Sequence, residues 1–136
     1  MDKYVIPLSK VDKDDIELVG GKGANLGEMI KAGVPVPGGF VVTAQAYFHF
    51  INENKLKDDI RRLLFGLDVE DTARLQQVSS QIKIKIIKAY IPKKIEDDIR
   101  RSYDSLARGD IFPFVAVRSS ATAEDLPNAS FAGQQA

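Results

Sequence analysis

Phe114-Val115-Ala116-Val117-Arg118-Ser119-Ser120-Ala121-Thr122-Ala123-Glu124-Asp125-Leu126-Pro127, followed by Ser130-Phe131-Ala132-Gly133-Gln134-Gln135, is the stretch on which the reading of this sequence turns. Its first four residues form an apolar run, as expected of a buried strand. The run ends on an arginine, three hydroxyls and two carboxylates. So many polar groups just past a buried strand point to a site. Arg118 can present a planar fork of donors to phosphate oxygens, and Ser119, Ser120 and Thr122 can add hydroxyls. The competing reading pairs Arg118 with Glu124 or Asp125 and lets the hydroxyls close a turn. Residues 130–135 fit either a flap anchored by Phe131, with Gly133 allowing close approach, or a bulged strand. The sequence stops at Ala136, directly after this segment, which raises the expectation that the chain is a piece of something longer.

A second segment has the same chemical character. Gly20-Gly21-Lys22-Gly23 precedes a helix expected to run to about Ala32. Glycines let a backbone turn tightly and approach a ligand, and a helix N-terminus offers N–H groups and partial positive charge to phosphate. Lys22 adds a full charge. No standard phosphate motif fits: Ile16 stands where a Walker A loop needs its first glycine, and Gly23 where it needs Ser or Thr. Leu26 stands where a GxGxxG fingerprint needs its last glycine. Spacing alone therefore leaves a phosphate loop and a plain helix entry open. Two basic, small-residue segments in one short chain favour the former.

Around these segments the pattern is mixed. Tyr4-Val5-Ile6-Pro7-Leu8 reads as a short edge strand, and residues 9–17 as an acidic turn. Leu26, Met29 and Ile30 have the spacing of one buried helix face, and Gly33 suits its end. Val34-Pro35-Val36-Pro37-Gly38-Gly39 reads as an extended turn, and Phe40-Val41-Val42 as a strand. Thr43 suits the N-cap of a helix carrying Ala44, Tyr47, Phe48 and Ile51. The next helix carries Leu56, Ile60, Leu63, Leu64 and Leu67, with an expected pair between Asp58 and Arg62. Residues 71–90 read as helix from Leu75, Val78, Ile82 and Ile86, although Ile82-Lys83-Ile84-Lys85-Ile86 alternates as a strand would. Pro92 opens a last helix, with Ile95, Ile99 and Leu106 inward. Few strands, far apart, among several helices predict a mixed α/β (α+β) lobe rather than a regular doubly wound sheet.

Composition narrows the function classes. The chain has 136 residues, with 19 basic and 19 acidic side chains and no cysteine. The length allows one domain or one lobe. Balanced charge gives no support for nucleic acid as a partner, and the lack of thiols excludes disulfides and thiolate metal sites. No apolar run approaches a membrane span, and the N-terminus lacks a signal-peptide core. A cytoplasmic location is the expectation. His49, the single histidine, falls within the helix of residues 43–54 and reads as a surface or boundary residue.

Taken together, residues 20–29, 34–40 and 117–135 resemble the N-terminal nucleotide-binding region of the phosphoenolpyruvate synthase and pyruvate phosphate dikinase family, whose architecture rifampicin phosphotransferase shares. The resemblance covers the whole chain in order. It implies an ATP-grasp fold, with residues 1–136 as its first lobe. It further implies ATP held with Mg2+ between two lobes, and phosphoryl transfer to a histidine on a separate domain. From there the phosphoryl group passes to pyruvate, leaving AMP and phosphate. By position, Lys22 and Arg118 match the family's ATP-phosphate contacts and Gly133 a backbone contact in a flap, with Gly21, Gly23, Ser119 and Ser120 as further nucleotide-binding candidates. The phosphorylated histidine, the metal ligands, the second lobe and the pyruvate barrel are expected outside this chain, so it would hold no catalytic residue. Gly38 departs from the pattern, where relatives often carry proline. A related antibiotic phosphotransferase, and a non-catalytic module using residues 55–108 as a partner surface, are the alternatives.

Overall fold

In a computed structural model the described residues are 3–107, 109 and 111–120. They form five α-helices and a two-stranded antiparallel sheet, a mixed α/β arrangement as expected. The chain divides into two compact units, residues 1–46 with 94–136, and residues 47–93.

In the first unit, β1 (Val5–Pro7) pairs antiparallel with β2 (Phe40–Val42), Ile6 opposite Val41. The pairing continues past the strand ends, where the Thr43 N–H donates to the Tyr4 carbonyl at 3.0 Å and the Leu8 N–H to the Gly39 carbonyl at 3.0 Å. Pro7 lacks an N–H and sits at the strand end, where the missing donor costs little. Two short 3₁₀ turns, Leu8–Lys10 and Lys13–Asp15, replace the end of the expected strand and most of the acidic turn. Asp12 caps the second turn: its side chain accepts from the Asp14 N–H at 3.3 Å, while the Asp12 N–H donates to Asp15 at 2.8 Å. This reciprocal box satisfies donors that a helix start leaves unpaired.

The helix α1 (Ile16–Lys31) is broken at Gly20, whose φ of 74° and ψ of 170° are not helical. The expected entry at the glycine run is therefore present, preceded by one helical turn. The buried face corrects the apolar-periodicity reading. It is made by Val19, Gly20, Gly21, Gly23, Ala24 and Gly27, whereas Leu26 and Ile30 are only half-buried and Met29 is exposed. The reason is close approach: a Cβ at Gly27 would stand 2.5 Å from the Val11 carbonyl oxygen. Ile6, Val11, Val19 and Ala24 form the core cluster, with Leu18 and Val41 against it. Helix α5 (Lys93–Asp104) follows Pro92, with Ile95 buried and Ile99 half-buried.

The second unit holds most of α2 (Ala44–Glu53), then α3 (Leu56–Leu64) and α4 (Thr72–Lys88). Thr43 caps α2, its hydroxyl accepting from the Ala46 N–H at 3.3 Å and donating to the Lys3 carbonyl. His49 is half-buried in α2. Helix α4 settles the ambiguity of residues 82–86 in favour of helix, with Val78 buried and its N-terminus capped by Asp71. Asn54 ties the α2 end to the α4 exit, donating to the Tyr90 carbonyl at 2.8 Å and accepting from the Tyr90 N–H at 3.2 Å. The expected Asp58–Arg62 pair is not formed. Asp59 instead takes Arg62 at 2.7 Å, three residues on, and Lys85 of α4 at 3.6 Å, because it lies where both cations reach it.

The largest departure is at residues 114–117. They belong to no strand, and Phe114 and Val117 are exposed rather than buried. A strand is buried by what pairs with it, and no described strand lies beside this run. The segment is instead held at its start: the Tyr103 hydroxyl of α5 donates to the Pro113 carbonyl at 2.8 Å, and the Tyr103 ring stacks on Phe112 at 5.9 Å.

The Asp12 carboxylate also accepts from Lys31 at 2.8 Å. That bond, then the cap bond, holds the Asp12 pKa below its ordinary value, and the same partner raises Lys31. A depressed folded pKa means stability present above the ordinary aspartate value, about 3.9, and lost as pH falls through the folded pKa. Asp12→Asn keeps an acceptor for the cap but cannot titrate. Urea midpoints measured from neutral pH into the acid range should fall less for Asp12→Asn than for the parent chain. Equal slopes would remove this pair from the acid response.

Candidate functional site

The two segments singled out by sequence meet in the first unit, 97 residues apart in the chain. Lys22 extends from the first turn after the Gly20 break, and its ammonium donates to the Ser119 carbonyl at 3.0 Å. The Gly23 N–H donates to the Ser120 hydroxyl at 2.9 Å, and that hydroxyl donates to the Val19 carbonyl. Ser120 thus satisfies one of the N–H groups at the α1 entry, in the manner of an N-cap supplied from a distant segment.

Gly20 makes this meeting sterically feasible. A Cβ there would lie 1.7 Å from the Ser120 carbonyl oxygen and 2.6 Å from its Oγ. At Gly23 the same atom would be 3.4 Å from Ser120 Oγ and 3.1 Å from Val19 Cβ. The run is glycine-rich because another backbone passes against it, a reason that neither the phosphate-loop nor the helix-entry reading supplied.

Among the candidates, Lys22, Ser119, Ser120, Gly21 and Gly23 gather at this crossing, with Gly21 and Gly23 buried and Lys22 exposed. Arg118 precedes the clasped pair and is exposed, and among the described residues no side chain pairs with its guanidinium. Gly133, the flap of residues 130–135, and the carboxylates Glu124 and Asp125 lie outside the described residues. The arrangement places one ammonium, one guanidinium-bearing segment and a helix entry together, which is chemistry suited to an anion. Val19 and Gly20 build the crossing without bearing charge, and sequence reasoning names neither as a candidate contact. Gly20, as the first residue of the run, was the available signal.

Among the described residues no group of three or more His, Asp or Glu side chains gathers in a way that could hold a metal ion. No helix among them is long and apolar enough to cross a membrane.

Comparison with known proteins places this geometry in context. Residues 16–136 match the family described as pyruvate phosphate dikinase, AMP/ATP-binding domain. A probable phosphoenolpyruvate synthase of Staphylothermus marinus is 51% identical over 137 residues, covering 98% of this chain and 16% of that protein. A probable phosphoenolpyruvate synthase of Methanothermobacter thermautotrophicus is 50% identical, covering 99% of this chain and 20% of that protein. The phosphoenolpyruvate synthase of Pseudomonas aeruginosa is 50% identical over 139 residues, covering 99% and 18%. The chain thus spans a fifth or less of the length of these relatives.

Proposed function

The chain belongs to the pyruvate phosphate dikinase AMP/ATP-binding domain family, and from that premise we propose that it is the first lobe of an ATP-grasp domain that takes the phosphates of ATP. The enzyme it serves is a phosphoenolpyruvate synthase-like phosphotransferase in the cytoplasm. There ATP phosphorylates a histidine outside residues 1–136, and the phosphoryl group moves on to pyruvate. With water as co-reactant, the products are phosphoenolpyruvate, AMP and phosphate. The names of the relatives favour pyruvate over an antibiotic as the final acceptor.

The single observation that carries this reading is the crossing of the Lys22 and Arg118–Ser120 segments. Phosphoryl transfer asks a protein chiefly for alignment and charge stabilisation. In this reading Lys22 neutralises phosphate oxygens as a point charge and Arg118 adds a planar fork, with the Gly21 and Gly23 backbone beside them at the α1 entry. Gly133, outside the described residues, enters this reading only as the backbone contact that the family resemblance implies. Mg2+ would accompany the ATP and supply positive charge against its phosphates. The described residues supply no ligand cluster for the ion.

If this lobe reads the phosphates, tripolyphosphate should compete with ATP for the chain, while adenosine should not. Affinity should also fall as salt rises, as for an exposed charge-driven site. Competition calorimetry decides it. Displacement of ATP by adenosine but not by tripolyphosphate would place recognition at the base and refute the assignment of Lys22 and Arg118.

A further inference from the structure

The break in α1 is occupied by another residue's side chain. In an unbroken α-helix the Gly23 N–H would donate to the carbonyl of Val19, four residues earlier. Here both groups bond to one atom: the Ser120 hydroxyl donates to the Val19 carbonyl and accepts from the Gly23 N–H at 2.9 Å. A hydroxyl carries one donor and two acceptor lone pairs. It can therefore enter the helix ladder and leave neither backbone group unsatisfied, while the helix bends at that point. Gly20, non-helical at φ 74°, opens the gap and leaves room for the Ser120 carbonyl.

The consequence reaches the charged residues on either side. Ser120 is two residues after Arg118, and the carbonyl between them, that of Ser119, accepts from Lys22 at 3.0 Å. The single O–H of Ser120 is directed at Val19, so it is not a donor aimed at a ligand. We propose that Ser120 is a positioning residue of the phosphate site: its hydroxyl, inserted between Val19 and Gly23, sets the register of Arg118 against Lys22 without touching phosphate. This rests on the nucleotide reading above and assigns one of its candidate ligands a different task. Threonine preserves the hydroxyl and alanine removes it, so the two substitutions separate the clasp from the mere presence of a small side chain.

The test is calorimetric titration of the 136-residue chain with ATP, for the parent, Ser120→Ala, Ser120→Thr and Arg118→Ala, with amide exchange at Gly23 measured in parallel. Ser120→Ala should weaken ATP binding by about tenfold and speed Gly23 exchange, while Ser120→Thr stays close to the parent in both. Should Ser120→Ala fold poorly, Ser120→Cys gives the same contrast, since a thiol is a weak donor and acceptor. Faster Gly23 exchange with unchanged ATP affinity would overturn the positioning role and leave the nucleotide reading standing. A threonine variant as impaired as alanine would also overturn it. A folded parent chain that binds no ATP would overturn the nucleotide reading, and the positioning role with it.

Discussion

Arg118→Ala is expected to weaken ATP binding by about 30-fold, the equivalent of about 2 kcal/mol for hydrogen bonds between charged groups. The size follows from what is removed. Arg118 is exposed, and among the described residues no carboxylate takes its guanidinium. Its deletion therefore leaves no described partner behind, and the thermal midpoint should barely move. Arg118→Lys should fall between alanine and the parent, because it restores the charge but not the planar fork. Calorimetric titration of the three proteins against ATP, with a melting curve for each, measures both arms. A large loss of stability in Arg118→Ala without a selective loss of affinity would mean that the arginine serves the fold.

Gly20→Ala is expected to destabilise the chain by about 3 kcal/mol or more, roughly 10 °C in melting temperature. Two costs combine. The conformation at φ 74°, ψ 170° belongs to a region essentially reserved for glycine. A methyl group would also overlap the Ser120 carbonyl oxygen at 1.7 Å, so the 117–120 segment would have to leave. Gly33→Ala is the matched control: its φ is also positive, 84°, but nothing lies within 4 Å of the added atom. It should cost only the local backbone term, about 1 kcal/mol. Equal losses in the two variants, read from urea unfolding, would show that the crossing contributes nothing to stability.

The helical framework was legible because it is written in local pattern. Helix α4 could be recovered through the alternating Ile82–Ile86 stretch because its spacing extends back to Leu75, and Thr43 as a cap needs only its neighbours. Two features were not legible, for related reasons. Apolar periodicity gives the inner face of α1 to Leu26, Met29 and Ile30, since it counts only apolar side chains. The helix in fact turns its glycines inward because Val11 packs too closely for a side chain at Gly27. Hydropathy predicts burial of residues 114–117, but burial of a strand is decided by its partners, and hydropathy does not name them. The candidate site shows the same division. Charge and glycine identified Lys22 and the Arg118 segment, whereas the Ser120 hydroxyl inside the α1 ladder joins residues 97 positions apart and leaves no local trace.

If the crossing of the Lys22 and Arg118 segments takes the phosphates of ATP, as proposed, both segments should respond to the ligand together. Amide chemical shifts of the isotope-labelled chain, followed as ATP is added and repeated with tripolyphosphate, are the deciding measurement. Saturable shifts shared by both ligands are expected at Gly21, Lys22 and Gly23 and at residues 118–120, lost in Arg118→Ala. Shifts confined to residues 47–93, or none in a well-folded chain at saturating ATP, would contradict the proposal.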